Sequence, residues 1–150
     1  MFVREQILIA LACYKFLTPS LMMLLGISSD VSYIRKKAKD SRNQRKPLGG
    51  GRRFPNDPDR GGTENFYFLT MHGKNRVREE FDMEEHEILY LPSAKAKFRQ
   101  YRHRKYTIFF QILLDQWALD NSFSVSFFYR DFDKMGNNRR DKNLESLTKT

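Results

Sequence analysis

The side chains of this 150-residue chain that offer catalytic chemistry are few and scattered. A carboxylate-based centre for phosphodiester cleavage holds a divalent metal between acids and sets a lysine two positions after one of them. No lysine here has Asp or Glu at that offset, and the acids that come nearest, Asp59 after Pro58 and the pair Asp131 and Asp133, read as loop acids. His72, His86 and His103 are too widely spaced for a zinc site or a two-histidine metal cluster. Cys13 is the only cysteine, which excludes an internal disulfide and fits a reducing compartment such as the cytoplasm. The seven tyrosines lack a neighbouring base that would make one a nucleophile. Gly49, Gly50 and Gly51 do not lead through Gly-Lys-Ser/Thr into a helix, so they form no phosphate-cradling loop. No catalytic or metal-ligating residue, and no cofactor, is therefore assigned.

What the sequence does concentrate is positive charge. Lys and Arg number 27 against 18 Asp and Glu, a net +9. Between residues 30 and 62 there are ten basic residues (Arg35, Lys36, Lys37, Lys39, Arg42, Arg45, Lys46, Arg52, Arg53, Arg60) and four acids (Asp30, Asp40, Asp57, Asp59), an excess of six. Each cation that neutralises a phosphate releases condensed counterions, so such a surface suits double-stranded DNA. Ser29, Ser32, Tyr33, Lys36 and Lys37 are the candidates to read base edges. Arg35, Lys39 and Arg42 are the candidates for phosphate contacts, with Arg45, Lys46, Arg52, Arg53 and Arg60 along the backbone or in the minor groove.

These residues need a scaffold, and the pattern supplies one. Val3, Ile7, Leu8, Leu11 and Tyr14 recur at helical spacing. Thr18 and Pro19 read as the cap and first turn of a short apolar helix that Gly26 ends. Ser28 or Ser29 is expected to cap a third helix with the narrow apolar stripe Val31, Ile34 and Ala38. Helix, short helix, tight turn and basic helix make the outline of a helix-turn-helix unit. Residues 42–63 read as a long, mobile Gly/Pro-rich basic loop that, with a strand on each side, makes a wing; only the strand after it, Phe66, Tyr67, Phe68 and Leu69, is placed by the sequence. Thr70 should then cap a helix through Met71, Val77 and Phe81. Glu79, Glu80, Asp82, Glu84, Glu85 and Glu87 follow, and they should lie away from any polyanion.

Residues 95–105 carry Lys95, Lys97, Arg99, Arg102, Arg104 and Lys105 without an acid. This cluster reads first as the solvated start of a helix. Two further readings are a linker that tracks phosphates and a face for single-stranded DNA, with Phe98, Tyr101 and Tyr106 as stacking platforms. Ile108, Ile112, Leu113 and Trp117 mark a strong helix, and Phe123, Val125, Phe127 and Tyr129 alternate as a strand does. The fold class expected is α+β, with a winged helix-turn-helix over residues 1–90 and a linker, helix and strand over 91–150. That helix and strand either pack on the first unit or begin a second domain. Residues 7–27 are apolar, but Lys15, Thr18, Pro19 and Ser20 interrupt them, so no membrane insertion is expected.

The run Tyr14, Lys15, Phe16, Leu17, Thr18, the basic third helix, Phe66 to Thr70 followed by His72, Gly73 and Lys74, and Arg102 and His103 before a long apolar helix resemble the replication-relaxation family. That family includes the MOBC-type plasmid mobilisation relaxases. The resemblance covers residues 2 to about 130. It implies an N-terminal winged helix that recognises the origin of transfer and, after it, a restriction-endonuclease-like domain that nicks DNA with a divalent metal, alongside other mobilisation proteins as partners. Residues 108–129 would be the first helix and strand of that domain, and the chain would be the N-terminal piece of a longer protein whose nicking residues lie beyond Thr150. Two alternatives stand beside this reading. One is a stand-alone transcriptional or replication regulator; the other is a nickase complete within the chain, built around Asp131 and Asp133.

Overall fold

The computed structural model describes residues 1–52, 63–90 and 101–125. The chain divides into two compact units, Met1–Leu113 and Leu114–Thr150. The first unit is of the α+β class, with helices around a small antiparallel sheet.

Helix α1 spans Val3–Tyr14, and the Glu5 carboxylate accepts the Phe2 N–H at 3.1 Å in its first turn. Its inner face buries Ile7, Leu8, Leu11 and Ala12. The helix stops at Lys15, whose φ of 73° turns the chain into the two-residue strand β1, Phe16–Leu17. Helix α2, Pro19–Leu24, starts as its sequence predicts, with the Thr18 hydroxyl accepting the Leu21 N–H at 3.3 Å. It ends in a Schellman arrangement, in which Gly26 N–H reaches Met23 O at 3.0 Å and Ile27 N–H reaches Met22 O at 3.3 Å.

Helix α3, Val31–Arg42, is capped by Asp30 and not by a serine. The Asp30 Oδ1 accepts the N–H groups of Ser32 at 2.8 Å and Tyr33 at 3.3 Å. Ser28 instead accepts the Asp30 N–H at 3.2 Å, so it supports the capping residue. Ile34 and Ala38 seat α3 in the core, and Ser41 is buried with them.

The long loop expected over residues 42–63 is interrupted at its start. After a five-residue turn, Leu48 N–H bonds back to Ser41 O at 3.1 Å, and Gly49–Arg52 form strand β2. Strand β3, Phe66–Leu69, pairs antiparallel with β2 on one side and β1 on the other, giving the order β1-β3-β2. Glycine disfavours strands when judged residue by residue, but here the opposing side chains require it. Gly50 faces Phe68 in register, and a Cβ there would fall 2.5 Å from the Phe68 ring. All four β3 residues are buried, and the Phe16 and Phe66 rings meet edge to face at 6.0 Å.

Helix α4, Met71–Phe81, begins at Thr70, whose hydroxyl accepts the Gly73 N–H at 3.0 Å and donates to Pro47 O. The first turn of α4 lies so close to the chain that a Cβ on Gly73 would overlap Leu48 O at 1.9 Å. Asp82 closes α4 with φ 51°, and a 3₁₀ turn at Glu85–Glu87 leads to Leu89, whose N–H donates to Ala12 O at 2.7 Å. Helix α5 spans Tyr101–Asp120, with Ile108 and Ile112 fully buried.

In the second unit, the Phe123 N–H closes the end of α5 on Ala118 O at 2.7 Å, and the Phe123 ring stacks on Trp117 at 5.8 Å. Of the strand expected from Phe123 onward, Phe123, Ser124 and Val125 form none, because the chain is turning off the helix there. The rest of that segment, with Asp131 and Asp133, lies outside the described residues. Among the described residues, no helix is long and apolar enough to cross a membrane.

Candidate nucleic-acid interface

Helix α3 carries five basic residues and one acid, and its seating sorts them. With Ile34, Ala38 and Ser41 turned inward, about 3.6 residues per turn puts Ser32, Lys36 and Lys39 on the opposite side. Arg35 and Arg42 lie along one edge of that face, and all five of these side chains are exposed. The Arg42 Nη1 would stand 3.5 Å from a Cβ on Gly51, so this edge is the one beside β2.

Tyr33 and Lys37 lie along the other edge. The Lys37 Nζ stands 5.4 Å from the Tyr33 ring centroid, a cation–π distance. Both side chains line an open pocket of about 350 Å³ together with Phe2, Arg4, Leu8, Leu48 and Arg76. The base-reading set expected from sequence is therefore divided by the fold. Ser32 and Lys36 face outward, whereas Tyr33, still exposed, and Lys37, half-buried, lie along the edge toward α1 and α4.

The outward face continues along the chain. Arg45 and Lys46 are exposed in the turn between α3 and β2. That turn is held at its far end by the Leu48 to Ser41 bond, by Thr70 N–H to Leu48 O at 3.1 Å, and by the Thr70 hydroxyl on Pro47 O. Ser29 is exposed in the turn ahead of α3. The backbone of Arg52 pairs with Phe66, while its side chain, Arg53 and Arg60 lie outside the described residues.

The acidic segment sits elsewhere. Glu79, Glu80, Asp82, Glu84, Glu85 and Glu87 are exposed at the end of α4 and on the 3₁₀ turn. Glu80 pairs with Arg76 and borders the pocket at the Lys37 edge of α3. Lys74 pairs with Glu85 at 2.8 Å, and the Lys74 ammonium, joined by the charge of Arg78, holds the Glu85 carboxyl below the usual carboxylate range.

The second basic cluster is largely turned to the protein where it is described. The Arg104 guanidinium lies over the Phe16 ring at 5.8 Å, and the Lys105 Nζ bonds Glu64 Oε1 at 3.2 Å. Glu64 is the residue that sequence reasoning passed over. Its carboxylate also accepts the Ser20 N–H at 3.0 Å and the Ser20 hydroxyl, so it ties the start of α2 to α5. Nothing in its local sequence signals this, because its partners are 44 and 41 positions away. Residues 95–100 lie outside the described residues, and His103 is exposed on α5.

Among the described residues, no three His, Cys, Asp or Glu side chains are grouped so as to hold a metal ion. Comparison with protein-family models, curated proteins and solved structures finds no match to this chain.

Proposed function

We propose that residues 1–90 form a winged helix-turn-helix that binds double-stranded DNA, with α3 in the major groove and the β2–β3 hairpin as the wing. One observation carries this reading: Arg35, Lys36, Lys39 and Arg42 are exposed on a single side of α3, while the apolar residues of the helix are spent on the core. The element order α1-β1-α2-α3-β2-β3 and the sheet order β1-β3-β2 support it, because they leave α3 outside the sheet with β2 at its edge. The Arg42 side chain beside Gly51 supports it too, since it makes the helix and the hairpin one continuous basic surface. Affinity in this reading comes from phosphate neutralisation, and register from the fixed turn bearing Arg45 and Lys46.

The resemblance to the replication-relaxation family gives the proposal its specific form, recognition of an origin of transfer by a plasmid mobilisation relaxase. Thr70 and Gly73, two of the residues that carry the resemblance, do packing work at the Pro47–Leu48 turn. They therefore speak for the winged helix and are silent on nicking. A divalent metal belongs in this proposal only to the nuclease domain that would follow. Single-stranded DNA is the weaker ligand, because Arg104 and Lys105 are engaged with Phe16 and Glu64.

The test is selection of bound sequences from random duplexes, followed by fluorescence anisotropy at two salt concentrations. Specific binding that weakens steeply with salt, with one asymmetric site per chain, supports the relaxase module. A two-fold palindrome bound by two chains supports a stand-alone regulator. Failure to bind any duplex at low salt overturns the proposal.

A further inference from the structure

We infer that the DNA site read by this chain is defined by guanine, contacted by Arg35 and Lys36 from the first two turns of α3. The inference rests on the DNA-binding reading above and adds to it the identity of the base.

A helix that enters the major groove in a helix-turn-helix reads bases from its N-terminal turns. The outward side chains there are Ser32, Arg35 and Lys36, all exposed. Tyr33, the remaining polar side chain of the first turn, is 41% exposed but lies at the pocket edge beside Lys37, off the line of Ser32, Arg35 and Lys36. At the cap, the Asp30 Oδ1 accepts the Ser32 and Tyr33 N–H groups, which holds that carboxylate against the helix end. The reading face is therefore dominated by donors, a guanidinium fork and an ammonium, beside one hydroxyl that can donate or accept.

Each base edge asks for something different. Guanine shows two acceptors, N7 and O6, and the Arg fork meets both at once. Adenine needs a donor and an acceptor side by side, which Asn or Gln supplies, and α3 contains neither between Val31 and Arg42. Thymine is marked by its methyl group, and the outward face has no apolar side chain to meet it, since Val31, Ile34 and Ala38 are the apolar residues on the core side. Cytosine needs an acceptor, and Asp40, the one acid within α3, sits in its last turn. Guanine is the base that the Arg35 fork and the Lys36 ammonium match best. Lys39 and Arg42, farther along the helix and beside β2, fall to the phosphates.

The experiment uses the full chain and the duplex recovered by selection, with each guanine replaced in turn by 7-deazaguanine, which removes the N7 acceptor and leaves base pairing intact. The expected result is a loss of about tenfold or more in affinity at one or two guanines, as for other bidentate arginine contacts. Arg35→Ala should lose as much on the unmodified duplex and then be insensitive to 7-deazaguanine at its base. Arg35→Lys keeps the charge and the helix but not the fork, so it should retain salt-dependent binding and lose discrimination. Selected sites that lack a common guanine, or sensitivity to 7-deazaguanine that Arg35→Ala and Lys36→Ala both leave unchanged, overturn the inference while DNA binding stands. Failure to bind any duplex overturns both.

Discussion

Gly50 and Phe68 face each other across the β2–β3 pairing, and the Phe68 ring covers the place where a Gly50 side chain would begin, 2.5 Å from its nearest carbon. Phe68 is 4% exposed and sits in the central strand, so the ring has little room to withdraw. Gly50→Ala should therefore cost about 1–3 kcal/mol through overpacking. Combining it with Phe68→Leu should cost less than the sum of the two single changes, because the smaller side chain admits the Cβ. Urea denaturation of the four proteins measures the coupling. Additive losses would mean that the glycine serves some end other than making room for this ring.

The cap of α3 offers a second measurement. Asp30 holds two backbone N–H groups at the positive end of the helix, whereas Ser28 holds one N–H outside it. Asp30→Ala should destabilise the chain by about 1 kcal/mol, and Asp30→Asn by much less. Ser29→Ala should leave stability unchanged. Equal losses at Asp30 and Ser29 in urea denaturation would contradict the capping assigned here.

The helices were legible in the sequence because each carries its own start and stop signals close by. Thr18 with Pro19, and Thr70, act where the pattern places them. The cap of α3 was misplaced by one or two residues because Ser28, Ser29 and Asp30 are all competent caps, and only the backbone conformation selects among them. Strand β2 was hidden for a stronger reason. A run of three glycines reads as loop on propensity, and the rings of Tyr67 and Phe68 that make it a strand arrive from more than a dozen positions away. The basic character of α3 was legible, but the placing of Tyr33 and Lys37 on a separate edge was not, since it depends on α1 and α4 lining a pocket there.

That division of α3 makes a direct prediction. Lys39→Ala should weaken duplex binding and lower the slope of log affinity against log salt by about one, whereas Lys36→Ala should weaken binding and relax discrimination at its base. Lys37→Ala should leave the slope unchanged and reduce stability slightly through loss of its contact with Tyr33. Anisotropy titrations across salt concentrations separate these outcomes. A Lys37→Ala slope that falls as far as that of Lys39→Ala would put Lys37 on the DNA face.

Glu64 joins Ser20 at the start of α2 to Lys105 on α5. Its side chain is 21% exposed and that of Lys105 30%, so the pair is partly shielded from water. Glu64→Gln keeps the shape and one acceptor but removes the charge, and should cost about 1–2 kcal/mol, as expected for hydrogen bonds to a charged group. Lys105→Met should recover part of that loss in the Glu64→Gln background, because it removes the cation left without its carboxylate. Thermal denaturation of the single and double variants decides this, and an unchanged melting temperature in Glu64→Gln would remove Glu64 from the set of residues that hold α5.

The Lys74–Glu85 pair gives the chain a defined response to acid. Hydrogen bonding to Lys74 is the largest influence on the Glu85 carboxyl, followed by the charges of Lys74 and Arg78, and all three favour the ionised form. Its folded pKa therefore lies below the ordinary value of 4.5. A carboxyl of this kind stabilises the fold while it is ionised, and that contribution is complete above the unfolded value. As pH falls through 4.5 the unfolded chain takes up the proton first, and the contribution drains away until pH passes the folded value. Lys74→Gln should raise the Glu85 titration midpoint toward 4.5 and narrow the acid range over which stability falls. Carbon-detected NMR of the Glu85 carboxyl through an acid titration reads the midpoint directly. The effect on global stability should be small, because the Glu85 side chain is 66% exposed and water screens the pair. A Glu85 midpoint that Lys74→Gln leaves in place would show that Arg78 or another cation sets it, and the tether from α4 to the 3₁₀ turn would lose its electrostatic basis.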